Sequence, residues 1–180
     1  AKGMSVADIG AGEGYYTVRL AQRVGQDGRV LAQDIDPGAL RDLGLRIERD
    51  YDTSLPEIRG DREQLIQALL NIVQNAAQVL VPQMAQDQAR ITLRTRIARQ
   101  LTLGRKRHKL ALELHVIDNG PGIEPDIKER IFYPLVTGRD GGTGLGLPLA
   151  QTFVQRHEGL IECESEPGRT DFRIMLPLTD

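Results

Sequence analysis

The sequence predicts an α/β fold in two parts, and three observations predict it. Residues 4–35 read strand, glycine loop, helix, strand. Two later segments, 61–80 and 147–157, repeat apolar residues at helical spacing. Four segments within 90–177 alternate apolar and polar residues with the period of two that marks a strand with one buried face. The reading is therefore a βαβ unit over 1–44, followed by a larger α/β unit over 45–180.

Composition bounds the function. With 180 residues, 40% hydrophobic and 27% charged, the chain suits one ordinary globular domain plus a supersecondary fragment. Aromatics are 4% and Trp is absent, so the core must be aliphatic. A net charge of −2 argues against nucleic acid or an anionic membrane as the main partner. The cluster Arg105-Lys106-Arg107-His108-Lys109 reads as a solvated hairpin tip. The single Cys163 excludes an internal disulfide and fits a reducing cytoplasm. No apolar run approaches the ~18–20 residues that cross a bilayer, and no signal peptide is visible. The chain begins at Ala, as an excised or engineered piece would.

In order, residues 4–9 predict a buried strand, Tyr15 to Val24 a helix with Gly25 as its cap, and Arg29 to Ile35 a second strand. A βαβ unit makes these strands parallel, with a right-handed crossover. Asp36-Pro37-Gly38 starts a weak helical turn ending by Gly44. Leu45, Ile47 and Arg49 alternate as a strand that Pro56 closes. Asp61 is an N-cap with Gln64 as its capping-box partner. Leu65, Ile66, Leu69, Leu70, Ile72, Val73, Ala76, Ala77 and Leu80 then give an amphipathic helix that Pro82 ends. Strands over 90–97 and 110–117 are antiparallel, with the basic cluster connecting them. Gly- and Pro-containing segments fill 118–146. A helix over 147–157 stops at Gly159, and strands over 160–165 and 171–177 are split by Pro167-Gly168.

Four stretches carry chemistry. Asn71 and Asn75 lie four apart, so both carboxamides share one helix face. A carboxamide oxygen suits Mg²⁺ that phosphate oxygens also hold, although two Asn taken alone read sooner as a solvated helix side. Asp118-Asn119-Gly120-Pro121-Gly122 ends a strand, where a carboxylate can accept from an exocyclic amine and glycines admit a ring; alone it is a good turn. Ile131-Phe132-Tyr133-Pro134-Leu135 is an apolar plug leading into a polar stretch, as at the anchored end of a lid. Gly141-Gly142-Thr143-Gly144-Leu145-Gly146-Leu147 runs straight into a helix, which makes an anion site; without G-K-[ST] it is not a P-loop.

Residues from about 45 to 180 thus resemble the catalytic ATP-binding domain of a sensor histidine kinase, within the Hsp90-like ATPase superfamily. The four stretches resemble, in order, its N, G1, F and G2 boxes, and R-D-Y-D-T-S-L-P and H-E-G-L-I-E resemble the nitrogen-regulation kinases. The resemblance implies a two-layer sandwich of a mixed sheet with helices on one face. It implies that Asn75 is the metal site, coordinating Mg²⁺, with Asn71 beside the phosphates of ATP. It gives Asp118 the adenine amino group, Gly120 and Gly122 the shape of the base pocket, and Thr170 its back wall. Thr137, Gly138 and Arg139 fall in the lid, and Gly142, Gly144, Leu145 and Gly146 surround the phosphates. Pro148 departs from the usual small polar residue but sits in a first turn, where Pro is tolerated. Such kinases phosphorylate a histidine on a separate helical dimerisation domain. None of His108, His115 and His157 lies in such a box, so the phosphoacceptor is missing and no catalytic residue is assigned. Relatives that hydrolyse ATP use a glutamate on the N-box helix; here Gln67 and Gln74 flank Asn71, and Glu63 lies two turns earlier, which favours phosphotransfer.

The first loop resembles something else. Val6-Ala7-Asp8-Ile9-Gly10-Ala11-Gly12-Glu13-Gly14 is similar to motif I of class I S-adenosylmethionine-dependent methyltransferases, and Asp34 falls where those enzymes hold the ribose. Asp8, Gly10, Gly12, Gly14 and Asp34 would form an S-adenosylmethionine site, but the rest of such an enzyme is absent. Two signatures meeting within ~50 residues, too few for an independent first domain, imply a recombined or engineered chimera.

Overall fold

A computed structural model describes residues 44–104, 106–138 and 143–178, together with the backbones of 5–9 and 29–33. The two N-terminal strands, β1 (Ser5–Ile9) and β2 (Arg29–Gln33), pair in parallel, Ser5 opposite Arg29 and Ile9 opposite Gln33. The expected helix between them and the turn at 36–43 lie outside the described residues.

The larger unit is a five-stranded mixed sheet in the order β3-β4-β5-β7-β6. It comprises β3 (Leu45–Asp50), β4 (Ala89–Leu103), β5 (Lys106–Asp118), β6 (Leu160–Glu166) and β7 (Arg169–Pro177). β3 runs parallel to β4, and every other pairing is antiparallel. Two helices, α1 (Arg62–Val79) and α4 (Gly146–Arg156), pack on each other and on one sheet face, as the two-layer reading expects. One-turn helices α2 (Val81–Met84) and α3 (Pro125–Lys128) complete the order, each with a Pro in its first turn. No helix among the described residues is long and apolar enough to cross a membrane.

The alternation of apolar residues explains the layering. Ile72, Ala76, Leu147 and Val154 from the helices meet Ile91, Val116, Phe172 and Ile174 from the sheet in one buried cluster. Phe132 stands edge-on to Phe172, with ring centroids 6.4 Å apart and planes at 85°. The opposite face is polar. Asp50, Arg94, His115, Arg173 and Glu162 oppose one another in one row across all five strands. Asp50 accepts from Arg94 Nε at 2.8 Å and from Arg96 Nη2 at 2.6 Å, and these two guanidinium groups hold its carboxyl below the usual value. His115 Nδ1 lies 3.0 Å from Asp171 Oδ1.

Local expectations need four corrections. The strands of the central hairpin are longer than 90–97 and 110–117 and reach Leu103 and Lys106, which stand opposite each other. The basic cluster is therefore mostly strand: Lys106, Arg107, His108 and Lys109 belong to β5, because the alternation of hydrogen-bonded pairs continues to a two-residue turn. The capping box is altered. Asp61 accepts from the N–H groups of Glu63 and Gln64, but the Gln64 amide returns to the Asp61 carboxylate at 2.8 Å rather than to its backbone. The Asp61 N–H instead donates to His157 Nε2 at 2.9 Å. Lastly, α1 ends at Val79 with Leu80 as its C-cap, and Pro82 does not follow it directly but is the second residue of α2.

Candidate functional site

A single row of the sheet lays out the site. Ile47, Ile91, Asp118, Thr170 and Ser165 stand opposite one another across β3, β4, β5, β7 and β6, all toward the helices. The next inward row on the three strands β5, β7 and β6 is Val116, Phe172 and Cys163, which pack in or against the apolar core. The row changes from apolar to polar at Asp118, Thr170 and Ser165, which marks where the apolar core ends. Asp118 is 2% exposed and Thr170 3%, a burial that polar groups accept only with partners.

The D-N-G-P-G turn is held at both ends. Asp118 Oδ1 accepts the Gly120 N–H at 2.9 Å, and Gly120 O accepts from Gly168 N at 2.9 Å. Asn119 Oδ1 accepts the Arg90 N–H at 2.7 Å and its amide donates to Gln88 O at 2.8 Å, tying the turn to the start of β4. Gly122 has φ +87°, and a Cβ there would lie 2.9 Å from the Glu166 carbonyl, so only glycine fits. Ser165 Oγ accepts the Ile123 N–H at 2.9 Å and lies 2.9 Å from Thr170 Oγ1.

The other glycine loop reaches the middle of α1. A Cβ on Gly146 would sit 3.8 Å from Asn71 Cβ, so the start of α4 lies directly on the N-box asparagine. Gln67 Nε2 donates to Asn71 Oδ1 at 3.0 Å. Asn71 is 9% exposed, and its Nδ2 has no partner among the described residues. A buried N–H₂ left over at a helix N-terminus is a donor set for an oxyanion such as a phosphate. Asn75, one turn on, is half-buried. Leu135 N donates to Gly144 O at 3.0 Å, closing the base of the segment that contains exposed Thr137 and Gly138. Leu145, the N-cap residue of α4, is half-exposed at the same mouth.

Of the expected site residues, the fold thus joins Asp118, Gly120, Gly122 and Thr170 at one end of the sheet. It places Gly146 against Asn71 between the helices, and Gly144 against Leu135 and Val136. Arg139, Gly142, Gly10, Gly12, Gly14 and Asp34 lie outside the described residues, and Asp8 is described in backbone only. Gln67, Asn119 and Ser165 were not foreseen as site residues. Ser165 leaves a signal in I-E-C-E-S: its alternation puts a hydroxyl where Ile161 and Cys163 put apolar groups. His108 and His115 are strand residues, and His157 caps α4, with Nδ1 2.7 Å from Phe153 O.

These features define a class of nucleotide-binding domain, and comparison with known proteins supplies its family. Residues 60–180 match the family described as histidine kinase-, DNA gyrase B- and HSP90-like ATPase, and the chain belongs to it. Within that family it is a catalytic ATP-binding domain of the sensor histidine kinase kind. It is 52% identical over 132 residues to the sensory histidine kinase/phosphatase NtrB of Vibrio alginolyticus, covering 73% of this chain and 37% of that protein. Against NtrB of Rhodobacter capsulatus the identity is 38% over 192 residues, 97% of this chain and 53% of that protein. The chain therefore spans between about a third and a half of these relatives. Its fold matches the catalytic domain of histidine kinase ThkA with a TM-score of 0.63 at 24% identity, over 78% of this chain and 83% of that one.

Proposed function

We propose that the chain binds Mg-ATP between α1, the D-N-G-P-G turn and the start of α4, and donates the γ-phosphoryl to a histidine on a helical dimerisation domain outside these 180 residues. The observation that carries this is the buried pair of Asp118 and Thr170 beside the approach of Gly146 to Asn71. The first presents an acceptor and a hydroxyl to a base edge; the second offers an unsatisfied donor and a helix N-terminus to phosphates. The residues fit the metal as well as the nucleotide. Asn75 Oδ1 is a neutral oxygen ligand one turn from the phosphate donors, and Mg²⁺ there would neutralise charge on the phosphates. Asp118 then orients the base, and Asn71 and the 144–146 backbone orient the phosphates. Phosphoryl transfer is mostly positioning, so a separately supplied acceptor domain should be phosphorylated slowly. The setting that suits its one free thiol is a reducing cytoplasm.

The parallel pairing of β1 with β2 fits the βαβ unit of a second reading, an S-adenosylmethionine site at Asp8, Gly10, Gly12, Gly14 and Asp34; recombination near residue 45 is no part of it, because one NtrB relative aligns over 97% of the chain. Calorimetric titration separates the two. ATP should bind in a Mg²⁺-dependent manner, and Asn75→Ala should remove that dependence. S-adenosylmethionine binding that Asp34→Ala abolishes, with no response to ATP, would reverse the order of the two readings.

A further inference from the structure

Ser165 takes part in neither reading so far, yet it stands beside Thr170, which the proposed function gives to the base. It stands opposite Thr170, which in turn stands opposite Asp118, so three polar side chains share one inward row of β6, β7 and β5. A hydroxyl has one proton and two lone pairs. Ser165 Oγ spends a lone pair on the Ile123 N–H, 2.9 Å away at the exit of the D-N-G-P-G turn. Thr170 Oγ1 lies 2.9 Å from the same oxygen, and the contact allows either hydroxyl to donate. If Ser165 is the donor, the Thr170 proton is left for a partner on the Asp118 side of the row.

We propose that Ser165 is a specificity-determining positioning residue for the nucleotide base: by donating to Thr170 it makes Thr170 a donor beside the acceptor Asp118. This rests on the adenine-nucleotide reading above. Adenine offers an amino donor at N6 next to an acceptor at N1, which meets an acceptor–donor pair directly or through one water. Guanine offers the reverse, an acceptor at O6 next to a donor at N1, and meets two mismatches. Buried polar groups left unpaired by the wrong base are what give such a site its discrimination. Chains of hydrogen bonds also polarise one another, so the Ile123 N–H at the head of the relay strengthens the donor at its end.

The test is calorimetric titration of the intact chain with ADP and with GDP, for the unaltered protein, Ser165→Ala and Ser165→Thr. Ser165→Ala should weaken ADP by roughly tenfold, the scale of one well-placed hydrogen bond, and leave GDP unchanged, so the preference for adenine shrinks. Ser165→Thr keeps the hydroxyl and should restore the preference. If Ser165→Ala weakens both nucleotides equally, or Ser165→Thr behaves like Ser165→Ala, Ser165 is only a packing residue and the proposal fails. If the unaltered chain binds no ADP, the nucleotide reading itself fails, which is a separate and recognisable outcome.

Discussion

At the scale of single residues, the site depends on how closely backbones approach. Gly122 and Gly146 both belong to glycine motifs, yet the structure gives them opposite tolerances. A Cβ at Gly122 meets the Glu166 carbonyl carbon and oxygen at 2.9 Å with φ at +87°. A Cβ at Gly146 meets only the Asn71 side chain, at 3.8 and 3.9 Å, which is ordinary contact. Gly122→Ala should therefore destabilise the fold by at least ~1–2 kcal/mol, the cost of left-handed backbone for an L-residue, with the clash added. Gly146→Ala, inside the first turn of α4, should leave the urea midpoint unchanged or raise it, since Ala is the better helix former. Equal losses from the two substitutions would contradict the geometry. Much at this scale was legible in advance. Asp118 and Asn71 were singled out by their motifs and Thr170 by the family resemblance, and the fold sets Asp118 opposite Thr170 and Gly146 against Asn71. Ser165, Gln67 and Asn119 were not, because each acts on another protein group, and such pairings depend on strand register rather than on any local pattern.

Secondary-structure elements are held in place by their ends. The Asp61 N–H at the start of α1 donates to His157 Nε2 at the end of α4, and His157 Nδ1 in turn faces the Phe153 carbonyl. One imidazole thus satisfies groups from both helix termini and fixes the antiparallel packing that brings Gly146 to Asn71. His157→Ala should lower the Tm and weaken nucleotide binding together, although His157 touches no ligand position; retention of both would remove it from this role. Hydrogen bonds from the Gln64 N–H, the Gln64 side chain and the Glu63 N–H, with help from nearby His157, hold the Asp61 carboxyl below its ordinary 3.8. A lowered folded pKa gives stability that is present above pH 3.8 and lost as pH falls through the folded value. Asp61→Ala should therefore unfold more easily than the unaltered chain at neutral pH, and the gap in urea midpoints should narrow below pH 3.8. At this scale the sequence was read well for α1 and α4, whose periodicity is long. It was read short for β4 and β5, because the charged run in 105–109 hid a strand whose alternation continues to the turn. The cap at Asp61 was found, but the partner of its backbone N–H, His157, is 96 residues away and left no local trace.

For the whole molecule, the question is where the folding unit begins. The family match starts at residue 60, yet β3 supplies an entire edge of the five-stranded sheet and lies before it. Leu45 is 1% exposed and packs in the main core, with Ile47 against it, while Asp50 ties β3 to Arg94 and Arg96 of β4. The free thiol offers a probe of the intact core. Cys163 lies inward on β6, and burial pushes its thiol up to about 12, so the reactive thiolate is scarce at neutral pH. Alkylation should be slow in the native chain and fast in urea, following global unfolding rather than local opening. Three lengths can then be compared: the full chain, residues 45–180 and residues 60–180. If the sheet defines the unit, residues 45–180 should protect Cys163 and unfold cooperatively near the full chain's midpoint. Residues 60–180 should lose the burial of Leu45 and Ile47, each worth about 2–5 kcal/mol when a large core side chain is removed, and with it the exposed edge of β4 loses its cover. Protection of Cys163 in residues 60–180 equal to that in residues 45–180 would place the boundary at the family match and make β3 an accessory strand.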